Sequence, residues 1–172
     1  IVTLLSDIII IIILLIFLLT LFVKKLSISD SIYNFSNDYY IYIGFFISFI
    51  ATAGSLFYSE VLGFNPCILC WYQRIFMYPQ TLLFAIAFFK KNKVIVYNTF
   101  SLSLIGFTIA IYHYLIQIGS INSVSCDVVG FSASCSEYFS VAYGYITIPM
   151  MALSAFFLLI IINIFKFKQY KT

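Results

Sequence analysis

The chain has 172 residues, of which 63% are hydrophobic and 9% are charged, and its formal net charge is +3. A soluble domain needs only about 45–50% apolar residues, so this composition excludes an ordinary soluble protein. We predict an all-α integral membrane protein, because long apolar runs cross a bilayer as helices whose backbone groups are bonded internally.

Five apolar segments are long enough to span a membrane as helices. In chain order they are Leu4–Val23, Tyr39–Tyr58, Trp71–Phe89, Val94–Ile118 and Tyr145–Phe165. We predict that residues 39–172 form an antiparallel four-helix transmembrane bundle. Residues 1–38 are predicted to form one additional N-terminal transmembrane helix and a polar linker. No small-residue cleavage site follows that helix, so we expect an N-out span and not a cleaved signal peptide.

Nearly all basic residues are lysines that flank the ends of the predicted spans. By the positive-inside rule, the loop at Lys24 and Lys25, the turn at residues 90–93 and the C-terminus are cytoplasmic. Residues 59–70 and 119–144 contain neither Lys nor Arg. We therefore expect both segments to face outward. All four cysteines lie in or beside these outer segments, on the side where disulfides persist. Lysines at span ends anchor topology, so we predict no nucleic-acid partner.

The first outer segment ends in the motif Cys-Ile-Leu-Cys at residues 67–70. Asn65 is predicted to cap the following helix, with Pro66 at its first position. Both cysteines then lie in the first turns, where the helix dipole and unpaired N–H groups favour the thiolate. Thiol–disulfide exchange needs that thiolate. The motif therefore predicts a redox-active dithiol at the membrane surface.

Arg74 follows Cys67 and Cys70 with the spacing i, i+3, i+7, which places the three residues on one helix stripe. Burying a guanidinium in a bilayer costs about 2.5–3.5 kcal/mol at the centre and less near the interface. A thiolate or the carbonyl of a bound ligand would offset this cost. The alternative is that Arg74 extends to the lipid headgroups, as lone arginines near helix ends often do.

His113 is the only histidine, and Gln117 lies four residues after it on the same helix face. Their side chains place hydrogen-bonding groups on one face of the helix, and we expect this face at the membrane depth of Arg74. A single histidine in an apolar helix is otherwise a packing residue with a satisfied ring, and that alternative stays open.

Cys126 and Cys135 enclose residues 127–134, a segment rich in small residues without a helix or strand period. A disulfide within a flexible loop fits this pattern. Two further readings remain: the four cysteines bind zinc, for which a CxxC is half a site, or they form two inert structural disulfides. Zinc is disfavoured because one pair begins a helix and the other is widely spaced, so we predict no metal site.

The run Cys67-Ile-Leu-Cys70-Trp-Tyr-Gln-Arg74, preceded by Asn-Pro, resembles the signature of the DsbB-type disulfide bond formation proteins. The resemblance is closest to the short branch called BdbC. His113, thirteen residues before Cys126, and Gln117 match positions that flank the quinone in that family. The similarity covers about residues 39–165 and leaves out the predicted N-terminal helix, which is foreign to the family pattern.

The resemblance implies a multi-pass thiol:quinone oxidoreductase of the cell membrane. Such an enzyme reoxidises an extracytoplasmic DsbA-like thioredoxin-fold thiol oxidase and passes the electrons to a membrane quinone, either menaquinone or ubiquinone. It also implies a monomer in contact with membrane lipid. The loop pair, Cys126 and Cys135, would meet the partner oxidase, and the inner pair, Cys67 and Cys70, would adjoin the quinone. The implied cofactor-binding residues are Arg74, His113 and Gln117.

Within the inner pair we expect different tasks for the two sulfurs. Cys70 is expected to lie deeper, near Arg74, and to face the quinone, whereas Cys67 is expected to be more accessible and to exchange with the loop pair. Two alternatives remain. One is a quinone reductase of the vitamin K epoxide reductase type, although there the loop pair precedes the CxxC. The other is a structural or assembly membrane protein with inert loop disulfides.

Overall fold

The computed structural model describes residues 27–87, 89, 94–120, 134–135 and 147–170. These residues form four α-helices and a π-helical turn, and none of them lies in a β-strand. The prediction of an all-α chain is confirmed for this part of the sequence. The elements are α1 (Ser27–Leu56), the π-helical turn Phe57–Val61, α2 (Ile68–Ala87), α3 (Val94–Gln117) and α4 (Ile148–Tyr170).

Two segments among the described residues are long and apolar enough to cross a membrane. They are Tyr40–Val61, with a mean hydropathy of 1.7 over its most apolar window, and Ile95–Gln117, with 1.5. A shorter apolar stretch, Ile148–Ile164, lies in α4. The predicted spans at residues 39–58 and 94–118 therefore match helices of the expected length. The number of spans beyond these two remains a prediction.

The polar stretch at residues 27–38, which we predicted to be a linker, is helical. Helix α1 begins at Ser27, and this polar stretch continues without a break into the apolar part of the helix. The stretch contains neither Gly nor Pro, and its Ser, Asp and Asn residues each lower helix propensity only modestly. The predicted N-terminal helix at residues 4–23 lies outside the described residues.

The helices pack in a ring in which each contacts the next, and α4 closes the ring against α1. Two glycines permit the closest approaches. Phe84 of α2 packs against Gly44 of α1, and Phe156 of α4 packs in the same way against Gly106 of α3. A Cβ atom at either glycine would overlap the phenylalanine ring. The phenylalanines are fully buried, so this packing fixes the helix pairs that frame the site.

Buried polar side chains link the helices at the end of the bundle away from the cysteines. Tyr40 donates a hydrogen bond to Oδ1 of Asn163 at 2.8 Å, and Thr99 donates to the same oxygen at 2.9 Å. Ser103 donates to Oε1 of Gln80 at 2.8 Å. Such bonds between helices stabilise membrane bundles by roughly 0.6 kcal/mol each on average. The bonds to Asn163 join α1, α3 and α4, and the bond between Ser103 and Gln80 joins α3 to α2.

Candidate functional site

Helix α2 begins directly after Cys67, which acts as its N-cap. The carbonyl of Cys67 accepts the first helical bond, from the N–H of Trp71 at 3.1 Å, and its sulfur accepts the N–H of Cys70 at 3.3 Å. A side-chain acceptor on this third N–H is the defining contact of an N-cap. The prediction that Asn65 caps the helix is therefore wrong, because the cysteine sulfur takes that role two residues later.

The inner pair consists of two free thiols whose sulfur atoms lie 2.9 Å apart and are hydrogen-bonded to each other. Cys67 is only 2% exposed, whereas Cys70 is half-buried. The expectation that Cys67 is the more accessible sulfur is therefore wrong. Cys67 precedes the first residue of α2, outside the apolar helices. The hydrogen bond from the Cys70 thiol and a further contact from His113 lower the pKa of Cys67 to about 4, although burial opposes this shift.

His113 lies beside Cys67 near the outer end of α3. Its Nε2 is 3.5 Å from the Cys67 sulfur, and its Nδ1 is 3.1 Å from Nε2 of Gln73. All three side chains are buried, with exposures of 2% for Cys67 and His113 and 6% for Gln73. The His113 ring, on α3, therefore contacts α2 at two positions. One is the Cys67 sulfur at the start of the helix, and the other is Gln73, six residues later.

Cys135, from the segment between α3 and α4, packs against the same place. It is 1% exposed and forms an apolar cluster with Cys67, Leu69 and Ile116. Cys135 is bonded in a disulfide, and its predicted partner, Cys126, lies outside the described residues. The sulfurs of Cys67 and Cys135 and a ring nitrogen of His113 all lie within 4.8 Å of one another. A disulfide sulfur is not a thiolate ligand, so this geometry favours sulfur exchange over metal binding.

A cavity of about 500 Å³ opens between α1, α2 and α4 beside the inner pair. Its size falls within the roughly 300–1,000 Å³ that is usual for small-molecule sites. The lining is mostly apolar, and polar groups come chiefly from α2, where Cys70, Gln73 and Arg74 reach the wall. The apolar wall includes Ile47, Ala51, Met77, Met151, Ala155 and Phe156.

Ser55, near the C-terminal end of α1, holds Arg74 at the wall of this cavity. The Nε of Arg74 donates to Oγ of Ser55 at 3.0 Å, and one terminal nitrogen donates to the Ser55 carbonyl at 3.1 Å. Tyr78 also donates to the Ser55 hydroxyl, at 3.3 Å, and the guanidinium lies 5.2 Å from the ring centre of Trp71. A guanidinium has five N–H donors, and these contacts use two of them. The group is thus oriented and keeps donors for a ligand.

The structure separates residues that the sequence analysis had grouped. Cys70 and Arg74 share the cavity, but neither His113 nor Gln117 is among the described residues that line it. His113 contacts Cys67 instead, and Gln117 is buried near the outer end of α3. Their predicted contact with a quinone is therefore not favoured by the position of the cavity.

Two residues of the site were absent from the sequence-based set. Gln73 could have been suspected, because a glutamine three residues after Cys70 in an apolar helix needs a buried partner. Ser55 carries no comparable signal, since a serine near a helix end is common and its contact with Arg74 joins residues 19 positions apart.

Apolar helices and a paired thiol at the start of one of them define the class: a membrane disulfide-forming oxidoreductase. The chain matches the family model described as Disulfide bond formation protein DsbB over residues 37–165. It therefore belongs to the DsbB family, and its relatives place it in the BdbC-like branch.

Three bacillar relatives illustrate this. The chain is 44% identical over 115 residues, 67% of its own length and 76% of the relative's, to the SPbeta prophage-derived disulfide bond formation protein B of Bacillus subtilis (strain 168). It is 42% identical over 119 residues, 69% and 85% of the two lengths, to the probable disulfide formation protein C 1 of Bacillus anthracis. It is 40% identical over 123 residues, 71% and 88%, to the disulfide bond formation protein C of Bacillus subtilis (strain 168). No solved structure matches the chain.

Proposed function

We propose that this protein is a thiol:quinone oxidoreductase of the cell membrane that reoxidises a DsbA-like thioredoxin-fold thiol oxidase. Electrons pass from the partner to the loop pair, then to the inner pair, and finally to a membrane quinone, menaquinone or ubiquinone. One observation carries the proposal. Cys67 lies within 4.8 Å of Cys135 on one side, and its neighbour Cys70 opens into the cavity that Arg74 lines.

Transfer between the pairs is a balanced thiol–disulfide exchange. A Cys135 thiolate attacks the Cys67 sulfur, the Cys67–Cys70 bond breaks, and Cys70 leaves with the electron pair. Cys126 then attacks Cys135 and releases Cys67 as a thiolate, so the loop pair is oxidised and the inner pair is reduced. The thiols of the structure support this step, since Cys67 and Cys70 are free while Cys135 is in a disulfide. The low pKa of Cys67, about 4, makes it a good leaving group.

The cavity fits a quinone ring by its size and apolar lining, and Arg74 offers donors suited to a carbonyl oxygen. When bound, the quinone supplies an acceptor for two electrons and two protons. Arg74 and the apolar wall would hold it, with Cys70 as the sulfur that faces it. As the Cys67–Cys70 disulfide re-forms, the Cys67 thiolate and the Cys70 thiol give up two electrons and one proton, and the second proton comes from solvent.

The proposal includes the predicted topology: both cysteine pairs face outward, the C-terminus is cytoplasmic, and the protein acts as a monomer in contact with lipid. The lysine distribution supports this orientation. The names of the relatives, which describe disulfide formation, support a partner that requires oxidation. The order of the two cysteine pairs argues against a vitamin K epoxide reductase type.

The test is a trapping experiment on the purified full chain in lipid. The protein is mixed with a reduced thioredoxin-fold oxidase, quenched with an alkylating reagent, and the alkylated cysteines are counted by mass spectrometry with and without added quinone. We expect reduction of the inner pair without quinone and its reoxidation with quinone. A loop disulfide that the reduced oxidase never opens would identify inert structural disulfides and overturn the proposal.

A further inference from the structure

We propose that Gln73 is a positioning residue that fixes the tautomer of His113, so that the ring directs its Nε2–H at the Cys67 sulfur. The inference deepens the proposed function, on which its catalytic meaning rests, but the contacts that carry it are observed and can be tested without quinone or partner. They are the two hydrogen bonds of the His113 ring, one to the sulfur and one to the Gln73 amide.

The chemistry of the amide decides which ring nitrogen carries the proton. The atom of Gln73 that lies 3.1 Å from Nδ1 of His113 is its amide nitrogen, which is a donor only. With the amide in this orientation, Nδ1 of a neutral ring is the acceptor and the ring proton resides on Nε2. That nitrogen is 3.5 Å from the Cys67 sulfur, within reach of a hydrogen bond to a thiolate.

Burial makes this choice of tautomer energetically significant. Gln73 is 6% exposed and His113 is 2% exposed, so solvent does not compete for either ring nitrogen. The opposite tautomer would place Nδ1–H against the amide N–H of Gln73, leaving two buried donors facing each other. A buried donor without an acceptor is unfavourable, which favours the Nε2–H form.

An amide suits this role better than a carboxylate would. Gln73 has no charge at any working pH, so it orients the ring without favouring the imidazolium. The neutral ring keeps its Nε2–H whether the Cys67 sulfur is a thiolate or part of a disulfide. The donor is therefore present at each exchange and takes no proton from it.

The ionisable groups that face Cys67 come from two elements. They are Cys70 on α2 and His113 on α3, while Cys135, in the segment between α3 and α4, also lies nearby but is bonded in a disulfide and does not ionise. Arg74 acts on Cys70 from one turn further along α2, and residues 148–157 of α4 contain no titratable side chain. Among the described residues, His113 therefore brings the side-chain nitrogen that contacts the Cys67 sulfur, beside the backbone N–H of Cys70.

The experiment uses nitrogen NMR of the full chain with ring-labelled histidine, in lipid, with the inner pair reduced and neither quinone nor partner present. His113 is the sole histidine of the chain, so the spectrum reports one ring. In the wild type we expect the Nε2–H tautomer. Gln73→Leu should give a mixture of tautomers, and Gln73→Glu, which places an acceptor at Nδ1, should give a ring that carries a proton on Nδ1.

A second readout is the titration of the Cys67 thiolate, followed by its ultraviolet absorbance. Gln73→Leu should lower the ratio of thiolate to thiol near the Cys67 midpoint by about tenfold, which is one hydrogen bond's contribution. Gln80→Leu is the matched control, because Gln80 is a buried glutamine seven residues further along α2 whose partners are Phe76 and Ser103. It should leave the tautomer and the titration unchanged.

Two results would overturn the inference whatever becomes of the proposed function. One is an Nδ1–H ring in the wild type. The other is a ring spectrum and thiolate titration in both Gln73 variants that match those of Gln80→Leu. Failure of the trapping experiment with an Nε2–H ring intact would instead remove the catalytic interpretation and leave the positioning role in place.

Discussion

Replacing Arg74 with lysine keeps the positive charge but should impair quinone use. Arg74 makes two bonds to Ser55, through Nε to the hydroxyl and through a terminal nitrogen to the carbonyl, while it lies over Trp71. A lysine ammonium is a hydrated point charge on a flexible stem and does not reproduce this planar, bidentate arrangement. The variant therefore loses the fixed orientation of the cation at the cavity wall.

The magnitude follows from the number of bonds lost. Lysine retains at most one of the two bonds, and a hydrogen bond from a charged group contributes about 1.5–3 kcal/mol. Arg74 is half-buried, which favours the lower end of that range, so we expect about a tenfold rise in the apparent KM for quinone. Arg74→Ala should raise it further, and Ser55→Ala should raise it less because the carbonyl of Ser55 remains.

Steady-state kinetics over a quinone titration, in the same lipid for every variant, provide the measurement. Exchange between the loop pair and the inner pair should change little, since Arg74 bonds to Ser55 and lies against Trp71, whereas Cys67 bonds to His113 and Cys70. The Ser55→Ala and Arg74→Ala effects should be less than additive if both act through one contact. Unchanged quinone dependence in Arg74→Lys and Arg74→Ala together would refute the reasoning and leave an arginine that only reaches the headgroups.

Three further predictions concern the cysteines. Cys67→Ala or Cys70→Ala should abolish quinone reduction while membrane insertion stays near normal. Cys135→Ala should block turnover of the partner but not reoxidation of the inner pair by quinone. Counting the free thiols after each reaction distinguishes the two kinds of defect. Membrane-impermeant thiol reagents should label the reduced loop pair from outside while a tag at Thr172 stays protected, and labelling only from the cytoplasm would reverse the topology. Because the pKa of Cys67 is lowered to about 4, its thiolate persists above that pH and is lost below it. Quinone reduction by the reduced protein should thus decline only as the pH approaches about 4, and a midpoint near the ordinary thiol value would contradict this.

Local features of the site could be predicted from the sequence. The position of Cys67 and Cys70 at the start of a helix follows from a short polar segment that precedes a long apolar run, and both signals lie within a few residues. The cap itself was misassigned, because a cysteine sulfur is a weak acceptor and capping preferences favour Asn65. The packing around Cys67 buries its sulfur beside the first N–H groups of α2. This packing, which involves distant residues, makes Cys67 and not Asn65 the cap of the helix.

Features that depend on distant contacts could not be predicted. Cys67 is buried because Cys135, from the segment between α3 and α4, packs against it with Ile116. Helical spacing placed His113 on a face of α3 but did not indicate which part of α2 that face contacts. The ring meets Cys67 and Gln73, and the cavity lies on another side of α2, between α1 and α4.

The different surroundings of the two inner sulfurs explain how one short motif serves two reactions. Cys67 is the N-cap, so its side chain folds back over the first turn toward α3 and Cys135. Cys70 lies within that turn and reaches the cavity between α1, α2 and α4. The sulfurs are nevertheless only 2.9 Å apart, so forming or breaking their bond requires little movement of the helix. In the proposed function, electrons that enter from the segment between α3 and α4 would reach the cavity across a single sulfur–sulfur contact, with His113 beside Cys67 and Arg74 beside Cys70.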